Sequence, residues 1–164
     1  MTTLELLEYI AAERAALAHC YPLPSALDCV RYALTELGEY EDAMLRAERT
    51  GDKRNNQKPS DARRELGQVG EMLGAAIVQM DRWELLVPDV DVPQFKLRIH
   101  GLAEMTERTA TSMLSYAEGC IIPFNAGLAF GAWQGLCTWH GWDTHSLLVE
   151  RYAQVQEKHC QEAA

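Results

Sequence analysis

The chain has 164 residues, 48% of them apolar and 24% charged, with a net charge of −9. That length suits one domain, taken here as residues 1–164, whose core can stand without disulfide or metal staples, and its interspersed charges argue against disorder. The negative balance excludes a nucleic-acid polymer bound through a basic surface, and a phosphorylated substrate would need cations to neutralise it.

A first helix is predicted over about Thr3 to His19. Its acids stand where an export signal needs a basic stretch ahead of an unbroken apolar core, so a cytoplasmic protein is expected. Pro22 and Pro24 lack the amide donors that would continue this helix. Ser25 or Pro24 then opens a second helix reaching about Glu48, in which Leu27, Val30, Leu34, Leu37 and Met44 recur at three- and four-residue steps, the pattern of a helix packed into a bundle.

The polar stretch from Thr50 to Ser60 reads as a connecting loop. Its Lys53, Arg54, Asn55, Asn56 and Lys58 are the densest donors in the chain, and Lys53 and Arg54 are candidate substrate-binding residues. Ser60 or Asp61 caps a third helix with Leu66, Val69, Leu73, Ile77 and Met80 as its buried stripe. A fourth helix follows Pro93 to about Glu118, a fifth spans about Phe124 to Trp139, and Asp143 or Thr144 caps the last. With no run of period two, the fold class is all-α: a single-domain bundle of about five to six helices.

The segment from Ile121 to Trp139 approaches membrane length. Its Pro123, Asn125 and Gln134 make it a buried helix instead, and no membrane partner is expected. Gly127, Gly131 and Gly135 recur along it every four residues, suiting close helix packing within the subunit or across a dimer interface. Trp133, Trp139 and Trp142 read as core or interface aromatics. The five cysteines, Cys20, Cys29, Cys120, Cys137 and Cys160, are odd in number and contain no CxxC pair, which favours reduced thiols over a disulfide framework. Cys137, His140 and His145 offer too few paired ligands for zinc, and the absence of ExxH removes a ferritin-like di-iron site.

The acids of the second helix carry the chemistry. Glu36, Glu39 and Asp42 are spaced three apart, so they share one side of the helix despite their mutual repulsion. Glu36 has Cys29, Ala33, Tyr40 and Ala43 among its helical neighbours, which implies a partly desolvated carboxylate. On the third helix, Glu65 flanks the apolar stripe beside Val69 and Met72, and Gln68 continues its row. Antiparallel packing across the loop would bring Glu36, Glu39, Glu65 and Gln68 together as an all-oxygen site of the kind preferred by Mg²⁺, with Mn²⁺ as the alternative.

The run Glu36-Leu-Gly-Glu39, followed across the loop by Glu65-Leu-Gly-Gln68, resembles the MazG-like all-α nucleoside triphosphate pyrophosphohydrolases, marked by ExxE on one helix and ExxD on the next. The match covers helices two and three and departs at Gln68, where the family has a charged metal ligand; Glu71, one turn on, or Asp42 would compensate for the missing charge. The resemblance implies metal-dependent hydrolysis of a nucleoside triphosphate to the monophosphate and pyrophosphate, with Glu36 and Glu39 as catalytic candidates and Glu36, Glu39, Glu65, Gln68 and Glu71 as metal ligands. It also implies a homodimer or higher oligomer, and it draws attention to Asn125, since a late Asn serves nucleotide binding in such proteins; a cap or buried hydrogen bond is the simpler role for it. A bundle that retains nucleotide or protein binding without turnover is the alternative raised by Gln68.

Overall fold

Five α-helices, and no strand, run through residues 1–48, 59–80, 107 and 121–160, which the computed structural model describes. They are α1 (Thr3–Leu17), α2 (Ala26–Glu48), α3 (Pro59–Ile77), α4 (Ile121–Trp139) and α5 (Thr144–Val155), the last running into a wider π turn at Gln156–Cys160. The expected loop donors Lys53 and Arg54, and the expected helix from Pro93 to about Glu118, lie outside the described residues.

Local chemistry sets the helix ends. Thr2 and Glu5 form a reciprocal capping box at the start of α1, satisfying amides that have no partner within the helix. This helix stops at Leu17 rather than His19, because the Leu17 carbonyl accepts hydrogen bonds from the turn amides of Cys20 and Tyr21 at 3.1 and 2.7 Å. At the start of α2 the Ser25 hydroxyl accepts the Asp28 amide at 3.2 Å. The third helix begins at Pro59, ahead of the expected cap at Ser60 or Asp61, since a first helical position has no hydrogen bond for proline to lose. The same reason lets α4 start at Ile121, with Pro123 in its first turn, rather than at Phe124. Asp143, one of the two expected caps, starts α5 by accepting the Ser146 amide.

The central element is α3, which packs against α1, α2, α4 and α5. From Leu66 to Ile77 every residue except Gln68 is buried. Such near-complete burial marks a helix inside the core rather than on its surface, where one face would stay polar. Neighbouring helices come close at its glycines. A Cβ on Gly70 would lie 2.2 Å from the Trp133 ring of α4, and one on Gly74 would lie 2.2 Å from Ile10 Cδ1 of α1. Trp133 is fully buried against this gap, and its Nε1 donates to the Leu66 carbonyl at 2.8 Å. On α2 the buried line is Cys29, Val30, Ala33, Leu37, Tyr40 and Ala43, rotated from the expected seam, while Leu27, Leu34 and Met44 are half-buried.

Two features cross-link the bundle from end to end. Glu71, wholly buried on α3, lies 2.5 Å from Arg14 Nη2 of α1 and accepts a 2.7 Å hydrogen bond from Arg151 Nε of α5. Arg14 in turn lies 4.4 Å above the Tyr21 ring, and Tyr21 Oη accepts from Arg151 Nη2 at 3.2 Å. The second link corrects an expectation. Cys20 and Cys160 form a disulfide across 140 residues of sequence, whereas reduced thiols were expected from the scattered spacing. Distance along the chain concealed the pair, because folding brings the end of α1 to the turn after α5. Cys29 and Cys137 are free and buried.

Candidate acidic cleft

The cleft opens where α2, α3 and the end of α5 meet. Helices α2 and α3 run antiparallel: Gln79 donates to Cys29 Sγ at 3.6 Å near one end, while Gln68 donates to Glu36 at 3.0 Å near the other. This direction places the Glu36–Glu39 pair opposite Glu65 and Gln68. Carboxylate oxygens of Glu36, Glu39 and Glu65 lie within 4.8 Å of one another. The three side chains grade from Glu65, buried, through Glu36, half-buried, to Glu39, exposed at the rim. They line one wall of an open cleft of about 700 Å³.

Burial of the Glu36 carboxyl pushes its pKa up from 4.5 to about 7, with Glu39 and Glu65 adding to the shift and Arg151 opposing it. Desolvation and like charge act in the same direction here, since both disfavour the ionised form. Gln68 occupies the space between the two helices. Its Nε2 donates to Glu36 Oε2 and also to Glu65 Oε2. An amide with two acidic acceptors and no charge thus bridges α2 to α3.

The remainder of the cleft lining is mixed, with three cations beside Gln154 and Glu157. Arg64 holds Glu65 through Nε at 3.0 Å and through a second contact from Nη2, and this bond is the main reason its own pKa is raised. From the opposite side come Arg151 and Gln154 of α5, with Glu157 and Lys158 of the π turn. Burial of Arg151 works against its charge, yet its carboxylate partner Glu71 more than offsets this and leaves the pKa raised.

Glu36, Glu39, Glu65 and Gln68 are therefore brought together, whereas other candidates are not. Glu71 lies in the core between Arg14 and Arg151 and does not join the acidic group. Asp42 pairs with Arg46 at 2.6 Å on the exposed surface of α2. Asn125 is half-buried on α4 and is not part of the cleft lining. Among the described residues, Cys137, His140 and His145 do not assemble as a ligand group: His140 Nε2 meets Tyr40 Oη at 2.5 Å, and His145 packs edge-on to Tyr9.

The contact of Arg64 with Glu65 was not legible from helical spacing, which looks three or four residues away rather than to the next residue. Arg151 and Lys158 were missed. Arg151, Gln154 and Lys158 did leave a signal, since steps of three and four place them on one helical face.

Among the described residues no helix is long and apolar enough to cross a membrane. Comparison of the chain with protein-family models, with curated proteins and with solved structures finds no match.

Proposed function

We propose that the chain is a metal-dependent nucleoside triphosphate pyrophosphohydrolase. The observation that carries this reading is the convergence of Glu36, Glu39 and Glu65 within 4.8 Å on one wall of a cleft whose other wall bears Lys158 and Arg151. Burial, together with the charges of Glu39 and Glu65, raises the proton affinity of Glu36, and a divalent cation would balance the charge of the three carboxylates. All three offer hard oxygens and so fit Mg²⁺ or Mn²⁺. What such an ion supplies when bound is neutralisation of the triphosphate and polarisation of its phosphoryl oxygens.

In the proposed reaction a water attacks the α-phosphorus, the bond from that phosphorus to the α–β bridging oxygen breaks, and pyrophosphate leaves. Glu36, half-buried between Glu39 and Glu65, is the group to take the proton of the attacking water, and Glu39 at the rim orients it. Arg64 restrains Glu65, while Lys158 faces the phosphates. Association into a homodimer or higher oligomer and a cytoplasmic setting belong to the same proposal.

A second reading is favoured by Gln68. Its amide donates to both Glu36 and Glu65, giving these carboxylates a neutral partner where a pyrophosphohydrolase would use charge. The bundle would then bind a nucleotide or a protein without turnover. Pyrophosphate release from a panel of common and modified NTPs and dNTPs, with Mg²⁺ or Mn²⁺, separates the two. Release that is lost in Glu36→Gln and in Glu65→Gln supports hydrolysis; nucleotide binding without release supports the second reading. Absence of any metal-dependent nucleotide binding by folded protein would sink both nucleotide readings.

A further inference from the structure

Besides the acidic cleft, one other group of ligating side chains gathers among the described residues. A ring nitrogen of His19 and the sulfurs of Cys20 and Cys160 all lie within 4.8 Å of one another. Both cysteines are half-buried, and His19 is exposed at the end of α1, where its Nδ1 lies 3.1 Å from the Ala16 carbonyl oxygen. The cluster does not depend on the disulfide alone for its assembly. Tyr21 stacks on His159 with ring centroids 5.0 Å apart, Tyr9 of α1 meets Tyr152 of α5, and Glu71 joins Arg14 to Arg151. These contacts hold the end of α1 against the turn after α5 whatever the state of the sulfurs.

We propose that the reduced form of this cluster is a Zn²⁺ site, with Cys20, Cys160 and His19 as its protein ligands, and that the disulfide is its closed, oxidised form. Two thiolates and an imidazole select zinc over the hard cations suited to the acidic cleft, and three protein ligands leave a fourth tetrahedral position for water. With Zn–S bonds of about 2.3 Å, tetrahedral geometry sets the two sulfurs about 3.8 Å apart. Side-chain rotation reaches that separation from Cα atoms 5.3 Å apart without moving the backbone. In the opening step the Cys20–Cys160 bond takes two electrons and two protons from a dithiol reductant, which becomes a disulfide itself. Zinc uptake then displaces both thiol protons. Oxidation removes two of three ligands, because disulfide sulfur carries no thiolate charge.

The arrangement reaches the cleft through the turn Gln156–Cys160, which carries Glu157 and Lys158 on the cleft wall. Disulfide and zinc each add a tie between this turn and the end of α1 that the reduced, metal-free form lacks, leaving only the aromatic and ionic contacts to hold it.

The test is a Co²⁺ titration of the full chain, reduced with a phosphine, followed by displacement with Zn²⁺. One equivalent of Co²⁺ with a thiolate-to-cobalt charge-transfer band is expected, bleached by Zn²⁺; carboxylate ligation in the acidic cleft gives no such band. The oxidised chain should lack it. Cys20→Ser and Cys160→Ser should each weaken binding at least about tenfold, the least that loss of even a supporting group tends to cost at a metal site, with circular dichroism verifying the fold. His19→Ala should weaken binding while keeping a thiolate band. No band in the reduced chain, or a band undiminished in both serine variants, would overturn the site. A band in the fully oxidised chain would overturn the gating.

Discussion

Gln68 Nε2 lies 3.0 Å from Glu36 Oε2 and donates to Glu65 as well, so one neutral side chain links the acids of α2 and α3. Gln68 is also the one residue between Leu66 and Ile77 that is not buried. The central helix thus breaks its apolar surface at the position where the cleft needs a polar group. In the absence of a cation, the two amide hydrogens supply the positive partial charge that keeps the neighbouring carboxylates together.

Replacing this amide by a carboxylate should separate two effects. Gln68→Asp removes the donors to Glu36 and Glu65 and adds a fourth negative charge, so metal-free protein should lose about 1–2 kcal/mol of stability in urea unfolding. The same charge should tighten Mg²⁺ or Mn²⁺ binding about tenfold, on the order of 1.4 kcal/mol. Unchanged affinity in a calorimetric titration would place residue 68 outside the metal's ligand set.

Glu36 should impose a pH slope on metal-free protein. Its folded pKa is about 7 against an ordinary 4.5, so between those values the folded state binds more protons than the unfolded chain. Stability should therefore fall as pH rises from about 5 to 7 and level off above that window. Solvent screening of a half-exposed group limits the effect to about 1 kcal/mol. Thermal melts in chelator should show a shallower slope for Glu36→Gln and higher stability than the parent at pH 8. Parallel wild-type and variant profiles would mean that Glu36 ionises without penalty.

The site residues differ in how they could be read from the chain. Glu36, Glu39, Glu65 and Gln68 were legible because helical spacing puts each pair on one face and a polar loop between helices predicts antiparallel packing. Glu71 was misplaced for an equally physical reason. Spacing puts it in the row of Glu65 and Gln68, but its environment is decided by Arg14 and Arg151, which arrive from opposite ends of the chain. No local pattern encodes such a meeting. Cys20 and Cys160 posed the same problem across 140 residues. The helix starts at Pro59 and Ile121 were missed by a few residues because proline was read as a boundary rather than as a first-turn residue.

The buried placement of Glu71 predicts a structural role. In Glu71→Gln the guanidinium groups of Arg14 and Arg151 would remain in the core without a countercharge, at a cost of about 3–5 kcal/mol. Urea unfolding would measure the loss. Metal affinity of the folded fraction should stay unchanged, since Glu71 lies outside the acidic group. A stable Glu71→Gln protein with weakened Mg²⁺ binding would restore this residue to the metal site.

Three glycine-to-alanine substitutions grade the packing of α2 and α3. At Gly38 an added Cβ meets nothing within 4 Å, so the gain in helix propensity should appear undiminished, at about 0.5–1 kcal/mol. At Gly67 the nearest atom is the Leu147 carbonyl oxygen at 3.4 Å, an ordinary contact at which most of that gain should survive. Gly70 differs in kind. The new methyl would lie 2.2 Å from the Trp133 ring, and Trp133 cannot retreat without breaking its 2.8 Å bond to the Leu66 carbonyl. Overpacking of about 1–3 kcal/mol plus loss of that bond, about 1 kcal/mol, should exceed the propensity gain. Gly70→Ala should therefore be destabilised in chemical denaturation while Gly38→Ala is stabilised. Equal stabilisation of both variants would mean that α4 does not press on α3 at this point, and the tight packing that frames the cleft would have to be abandoned.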